Sequence, residues 1–288
     1  MNILHLTGSI GKQFGWCETA EGMAMTDGAD ETDDSRRDPQ AFVRSLSRGL
    51  AIIEALGKTP GRHTLAELAG ATDLNRAATR RVLLTLVELG YCQTDGKYFR
   101  LTPRTLGLGL AFLSGLPFWG YAQQVLEELR TEVEESCAMA VLDGTEILYV
   151  IRLPARRILA TNLGIGSRLP AHAVSLGRVL LAGLPPDQLD AYLVRSTRQA
   201  FTSRTITEAD ALRAELARVR EQGYAWVESE LDPAICGLSV PIRDGERSVV
   251  AAISVNAIAS SISEAEARKR LLLPLRRAAE EIRARSPF

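Results

Sequence analysis

Between Ser45 and Leu116 several local signals follow one another without a gap, and their order leaves few folds open. Leu46, Leu50, Ile53 and Leu56 recur at helical spacing, and Gly57 stands where that helix would stop. Thr64 with Glu67 is a capping box that opens a short second helix through Leu65, Leu68 and Ala69. The run Ala71-Thr72-Asp73-Leu74 makes a turn, and Asn75 caps a third helix with an apolar stripe of Ala78, Val82, Leu86 and Leu89. Arg76 and Arg80 then face roughly away from the stripe, flanked by Thr79 and Arg81. Gly90 ends the helix. Tyr91–Gln93 and Tyr98–Leu101 read as strands around an Asp95-Gly96 turn, with Lys97 at the tip. A helix pair, a third helix with outward arginines and a basic-tipped hairpin make a winged helix-turn-helix.

Such a unit reads double-stranded DNA. An arginine fork grips a guanine edge or a phosphate, while a lysine acts as a point charge. The DNA contacts expected here are Arg48, Thr64, Asn75, Arg76, Thr79, Arg80, Arg81 and Lys97. On an isolated amphipathic helix these arginines would be only a solvated face; the neighbouring helices and wing change that reading. Charge agrees. Residues 1–40 hold three basic and eight acidic side chains, residues 41–116 ten and five, and the remainder 21 and 22. The net charge of -1 thus hides a positive DNA-reading segment, as a polyanion partner requires.

The 288 residues suffice for two domains. Residues 1–40 are expected to be a disordered acidic extension, with Met23 or Met25 as alternative starts, and residues 41–102 the DNA-binding domain. Thr102-Pro103 opens a linker helix over residues 103–116, whose Leu106, Leu108, Leu110 and Leu113 call for cover by another protein surface. Two chains on a palindromic operator would double the base contacts, so a homodimer is expected. Residues 117–288 form the second domain. Its pattern predicts a helix at 119–136, strands at 138–142, 147–152 and 158–162, a loop at 163–170 and a helix from Ser175 to Ala182. Helices at 186–194 and 207–222 and strands near 224–229, 237–243 and 248–257 follow. A last helix, capped by Ser263 with Glu266, should kink at Pro274. The fold class is α+β. A sheet carrying helices on its faces is a common small-molecule pocket.

Cys17, Cys92, Cys137 and Cys236, like His5, His63 and His172, are scattered, so neither a metal site nor a disulfide framework nor a cofactor is indicated. No apolar run approaches the roughly 20 residues of a membrane span. A reduced cytoplasmic protein is expected.

Together these segments resemble the IclR family of bacterial transcriptional regulators. The resemblance rests on Ser45-Leu46-x-Arg48-Gly49-Leu50, Glu67-Leu68-Ala69, Gly90-Tyr91, Leu101-Thr102-Pro103 and Leu106-Gly107-Leu108-Gly109. In the second domain it rests on Gly166-Ser167-Arg168-Leu169-Pro170, Ser175-x-Gly177-Arg178, Gly223-Tyr224-Ala225 and Ala252-Ile253-Ser254. Phe42 to Leu46 and Tyr149-Val150-x-Arg152-x-Pro154 look like the subgroup that regulates protocatechuate, 4-hydroxybenzoate and β-ketoadipate catabolism. The resemblance implies a GAF-like effector domain with a mostly antiparallel sheet, a homodimer or a dimer of dimers, an aromatic acid or dicarboxylate as effector, and activators as well as repressors. RNA polymerase is then a further candidate partner.

The family's sensing site is built from the loop before Ser175 together with the later strands. That points to Gly166 and Ser167 as amide donors, Arg168 as a carboxylate partner, and His172 and Ser175 as hydrogen-bonding groups. By position Glu230, Ser239, Ser254 and Asn256 join them, and Ser254 and Asn256 share a strand face. Bland alternatives stand beside each: a surface ion pair for Arg168, a satisfied core residue for His172, a helix cap for Ser175, a dimer surface for Glu230. Adjacent Arg156 and Arg157 read as a solvated turn. Two competing functions stand beside this one, a hydrolase using Ser175 and His172, and a DNA-binding dimer that senses nothing.

Overall fold

A computed structural model describes residues 42–58, 61–155 and 163–286. The expected acidic extension, the strand at 158–162 and the Arg156-Arg157 turn lie outside them. The chain divides into two compact units, Met1–Thr102 and Pro103–Phe288.

In the first unit, α1 (Arg44–Lys58), α2 (Leu65–Ala71) and α3 (Arg76–Glu88) precede a small sheet. Thr64 and Glu67 form the expected capping box, and the Asn75 side chain accepts from Ala78 N at 2.8 Å. The wing strands are β2 (Cys92–Thr94) and β3 (Tyr98–Leu101), and a short β1 (His63–Thr64) pairs with the other edge of β3. The wing turn is held by the Asp95 carboxylate, which accepts from Lys97 N and Tyr98 N, while Gly96 takes the left-handed φ of 96°. These backbone donors hold the Asp95 carboxyl below its ordinary range. The core is Ile52, Ala55 and Leu56 of α1 with Leu68, Leu83, Leu86, Cys92 and Phe99. The α1 stripe therefore differs from expectation: Leu46 and Leu50 are exposed, and the buried face runs through Ile52 and Leu56.

In the second unit a 3-10 turn at Pro103–Thr105 leads into α4 (Leu106–Ser114), then α5 (Trp119–Val133). The α5 helix is shorter than expected, because Glu134 closes it in a left-handed conformation and Ser136 already begins a strand. The sheet is antiparallel throughout, in the order β6-β5-β4-β9-β8-β7. Its strands are β4 (Ser136–Asp143), β5 (Glu146–Leu153), β6 (Arg168–Pro170), β7 (Ala225–Glu228), β8 (Ile235–Arg243) and β9 (Val249–Ile258). On one face lie α5 and the final α9 (Glu264–Arg285), burying Leu126, Leu129, Met139, Ile151, Ile253 and Leu275. The α9 helix runs on through Pro274 as one element. The other face carries α6 (Ser175–Ala182), α7 (Pro186–Arg195) and α8 (Ala209–Gln222), with Leu176, Leu180, Leu212 and Leu216 buried.

All of α6 is buried. A Cβ at Gly177 would overlap the Ala171 backbone of the preceding 3-10 turn, Ala171–Ala173, so only glycine lets the helix lie this close. Arg178, one residue on, is also fully buried. Its Nε donates to the His172 carbonyl at 2.5 Å, and Nη2 pairs with Glu230 at 2.6 Å. Glu230 also accepts from Ile206 N at 3.1 Å, and Glu215 lies 4.0 Å from Arg178. Burial pushes the Arg178 pKa down and that of Glu230 up, each against the pull of its partner.

Candidate DNA-reading face and candidate effector pocket

On α3 the buried residues are Thr79, Leu83 and Leu86. Each residue turns the helix by roughly 100°, so moving the stripe from Ala78–Val82 to Thr79–Leu83 swings the outward face by about one step. Ala77, Arg81, Leu84 and Glu88 then sit at the centre of the exposed arc, with Arg80 exposed on its flank and Arg76 nearer its edge. Thr79 is a correction. It has no exposed surface, and its hydroxyl donates to the Asn75 carbonyl at 3.0 Å, so it cannot meet DNA from this position. Thr64 and Asn75 spend their side-chain acceptors on capping, while Arg48 on α1 and Lys97 on the wing are exposed. The Lys97 ammonium lies 5.1 Å from the Tyr98 ring centroid.

Two further exposed arginines stand beside the wing. Arg62 pairs with Asp95 at 3.4 Å beside the wing turn, and Arg100 stands on β3. The excess of positive charge in this segment, larger than the helix-turn-helix candidates account for, was their signal.

The sheet face beneath α6 is lined by small and polar side chains. Cross-strand register places Arg152 of β5, Ala138 of β4, Ser254 of β9, Ser239 of β8 and Ala225 of β7 in one row. The next row of that face holds Ser136, Asn256 and Gly237. Ser239 Oγ donates to Ser175 Oγ at 2.7 Å, which ties the start of α6 to β8. Asn256 Nδ2 donates to Ser254 Oγ at 2.9 Å. A Cβ on Gly237 would come within 2.6 Å of Ser175 Oγ and 2.7 Å of Asn256 Oδ1, so a glycine there leaves both polar atoms room. Ser175, Ser239, Ser254 and Asn256 are thus brought together, with both serines of the sheet wholly buried. Ser175 does not cap its helix.

The other expected contacts are spent elsewhere. Arg168 pairs at the surface with Asp143 and, at 3.7 Å, with Glu146. The Gly166 amide already donates to the Tyr149 carbonyl at 2.8 Å and the Ser167 amide to the Gly164 carbonyl at 3.1 Å. His172 is a satisfied buried residue: its Nε2 donates to the Gln199 carbonyl at 3.0 Å and its ring stacks on Phe201. Burial holds its pKa below the ordinary imidazole range, and the Arg178 and Arg198 charges act in the same direction. Glu230 is paired with Arg178.

Among the described residues no cluster of His, Cys, Asp and Glu could hold a metal ion, and no helix is long and apolar enough to cross a membrane.

Comparison with known proteins agrees with both halves. Residues 45–96 match the IclR helix-turn-helix domain, and residues 110–284 match the C-terminal domain of the bacterial transcriptional regulator IclR. The chain is 38% identical over 232 residues to the Pca regulon regulatory protein of Pseudomonas putida, covering 80% of each chain. A transcriptional regulator structure from Rhodococcus sp. RHA1 superimposes with a TM-score of 0.76 at 44% identity, over 85% of this chain and 98% of that one. An IclR homolog of Microbacterium hydrocarbonoxydans, crystallised with 4-hydroxybenzoate, gives a TM-score of 0.73 at 26% identity, over 84% and 98%.

Proposed function

This chain belongs to the IclR family of bacterial transcriptional regulators, and we propose that a small aromatic acid or dicarboxylate sets its occupancy of a palindromic operator beside genes of aromatic-compound catabolism. The observation that carries this reading is the enclosed group of Ser175, Ser239, Ser254 and Asn256 between α6 and the sheet. A core built only for stability would fill that layer with aliphatic side chains, since buried hydroxyls add desolvation cost without extra packing. The relative crystallised with 4-hydroxybenzoate shows an aromatic acid in a protein of this fold. The working unit is a homodimer or a dimer of dimers, supported by the exposed Leu106, Leu108, Leu110 and Phe112 of α4. Effector binding would shift the population of DNA-reading arrangements in that assembly.

The hydrolase reading loses its players. Ser175 Oγ is engaged with Ser239, and His172 Nε2 with Gln199, so no serine–imidazole pair is set up. The buried polar group likewise favours a sensing domain over one that only dimerises.

The test is fluorescence anisotropy of labelled intergenic DNA beside its own gene, with and without protocatechuate, 4-hydroxybenzoate and β-ketoadipate. Salt-sensitive binding that at least one acid shifts is expected. Binding that none of them shifts would sink the effector half of the reading.

A further inference from the structure

The described residues contain three buried side-chain atoms without a hydrogen-bond partner: Arg130 Nε, Arg152 Nη1 and Tyr192 Oη. Such groups are rare in folded proteins, and a charged one is the most costly to leave unsatisfied. Arg130 belongs to α5 on the far face of the sheet and already gives Nη1 to the Pro154 carbonyl. Tyr192 is neutral and sits on α7. Arg152 differs from both.

Its place in the sheet results from a β-bulge. Met139 pairs with Ile151 but Ala140 pairs with Tyr149, so Val150 is an extra residue on β5. Without that residue Tyr149 and Arg152 would fall on opposite faces; with it, both share the α6 face. Val150 and Ile151 pack into the α5–α9 core, while Tyr149 packs with Ala138 and Ala140 under α6. The Arg152 guanidinium lies 5.7 Å from the Tyr149 ring centroid. That contact holds the guanidinium against a buried ring without using any of its N–H donors.

In the row Arg152–Ala138–Ser254–Ser239 the only residue between the arginine and the hydroxyls is an alanine. Arg152 and Ser254 are two strand spacings apart, roughly 10 Å between their backbones. Resting on the effector reading given above, we infer that Arg152 is the carboxylate receptor of the pocket. The acid's carboxylate takes the guanidinium fork, its flat ring lies over Ala138, and a hydroxyl at its far end meets Ser254 and Ser239. A planar fork matches a carboxylate in two parallel hydrogen bonds, which a lysine cannot reproduce. Arg168, the arginine that the sequence pattern favoured, is neutralised by Asp143 and Glu146 at the surface.

Calorimetric titration of the full-length protein with 4-hydroxybenzoate and its neutral isostere 4-hydroxybenzamide tests this. The wild type should prefer the acid. Arg152→Gln should bind the acid about 10- to 100-fold more weakly while its affinity for the amide moves by no more than about threefold. Arg152→Lys, a milder change that guards against misfolding, should fall between. Unchanged acid binding by Arg152→Gln overturns the inference, and so does an equal loss of acid and amide. If no aromatic acid binds the wild type, β-ketoadipate becomes the probe. Its loss on Arg152→Gln would uphold the receptor and refute only the aromatic reading; its equal binding to both would overturn the receptor.

Discussion

The two units use charge in opposite ways. On the candidate DNA-reading face, Arg80, Arg81 and Lys97 stand exposed. Beneath the sheet of the second unit, Arg178 is wholly buried and fully engaged, and Arg152 is mostly enclosed with a donor left over. Exposed cations suit a long polyanion that brings its own counterion atmosphere, and their contribution is sensitive to salt. An enclosed cation can be matched only by a partner small enough to enter, and its contribution depends on desolvation. The same residue type thus stands open to solvent in one unit and is enclosed by protein in the other.

That contrast can be broken by experiment. The largest effect is expected at Arg178. Removing its partner with Glu230→Gln leaves a buried cation facing only the more distant Glu215, which should cost about 3–5 kcal/mol of stability in urea unfolding. A loss under about 1 kcal/mol would mean that water reaches this pair. Next in size, Arg80→Ala and Arg81→Ala should each weaken DNA binding by about 1–3 kcal/mol or flatten its salt slope by about one. Neither should move stability by more than about 0.5 kcal/mol. Should Arg76→Ala outweigh both in the anisotropy titration, the rotated register of α3 would be refuted.

The smallest effect concerns His172. Its folded pKa is depressed by burial, so the unfolded chain takes up the proton first as pH falls through the ordinary imidazole value of 6.5. Stability is therefore present in full above that value and declines below it, until the pH reaches the folded pKa. His172→Gln should show a shallower fall in melting temperature between pH 7 and pH 5 than the wild type. Parallel curves would show that the imidazole is not the titrating group.

How far the sequence reveals these features depends on whether a residue obeys the local period. The capping box, the Asn75 cap and α6 from Ser175 to Ala182 stand as the pattern predicts, because each is set by neighbours a few residues apart. The α3 stripe lies one position on from the apolar pattern because its centre is a threonine. Thr79 looks polar in a list, yet its hydroxyl is satisfied by its own helix, leaving the methyl for the core. On α1, Leu46 and Leu50 keep helical spacing but stay exposed, since apolar periodicity marks a face to be covered without saying by which surface. The short β6 is hidden from the pattern, since three residues that end in a proline carry no alternation.

The candidate pocket divides in the same way. Ser254 and Asn256 are legible through simple alternation on β9. Arg152 is not, because the bulge at Val150 changes parity between Tyr149 and Arg152, and no count of twos recovers their common face.

Gly177 has a bearing on how such a sensor diversifies. With no side chain against Ala171, and with Arg178 locked to Glu230, α6 is seated too tightly to accept larger residues or to slide along the sheet. In the proposed pocket, new ligand preferences then have to arise on the strand side, above all at Ala138, which stands between Arg152 and Ser254 in the register. A directed-evolution library for altered inducers belongs on β4, β5 and β9, with α6 left as the fixed anvil.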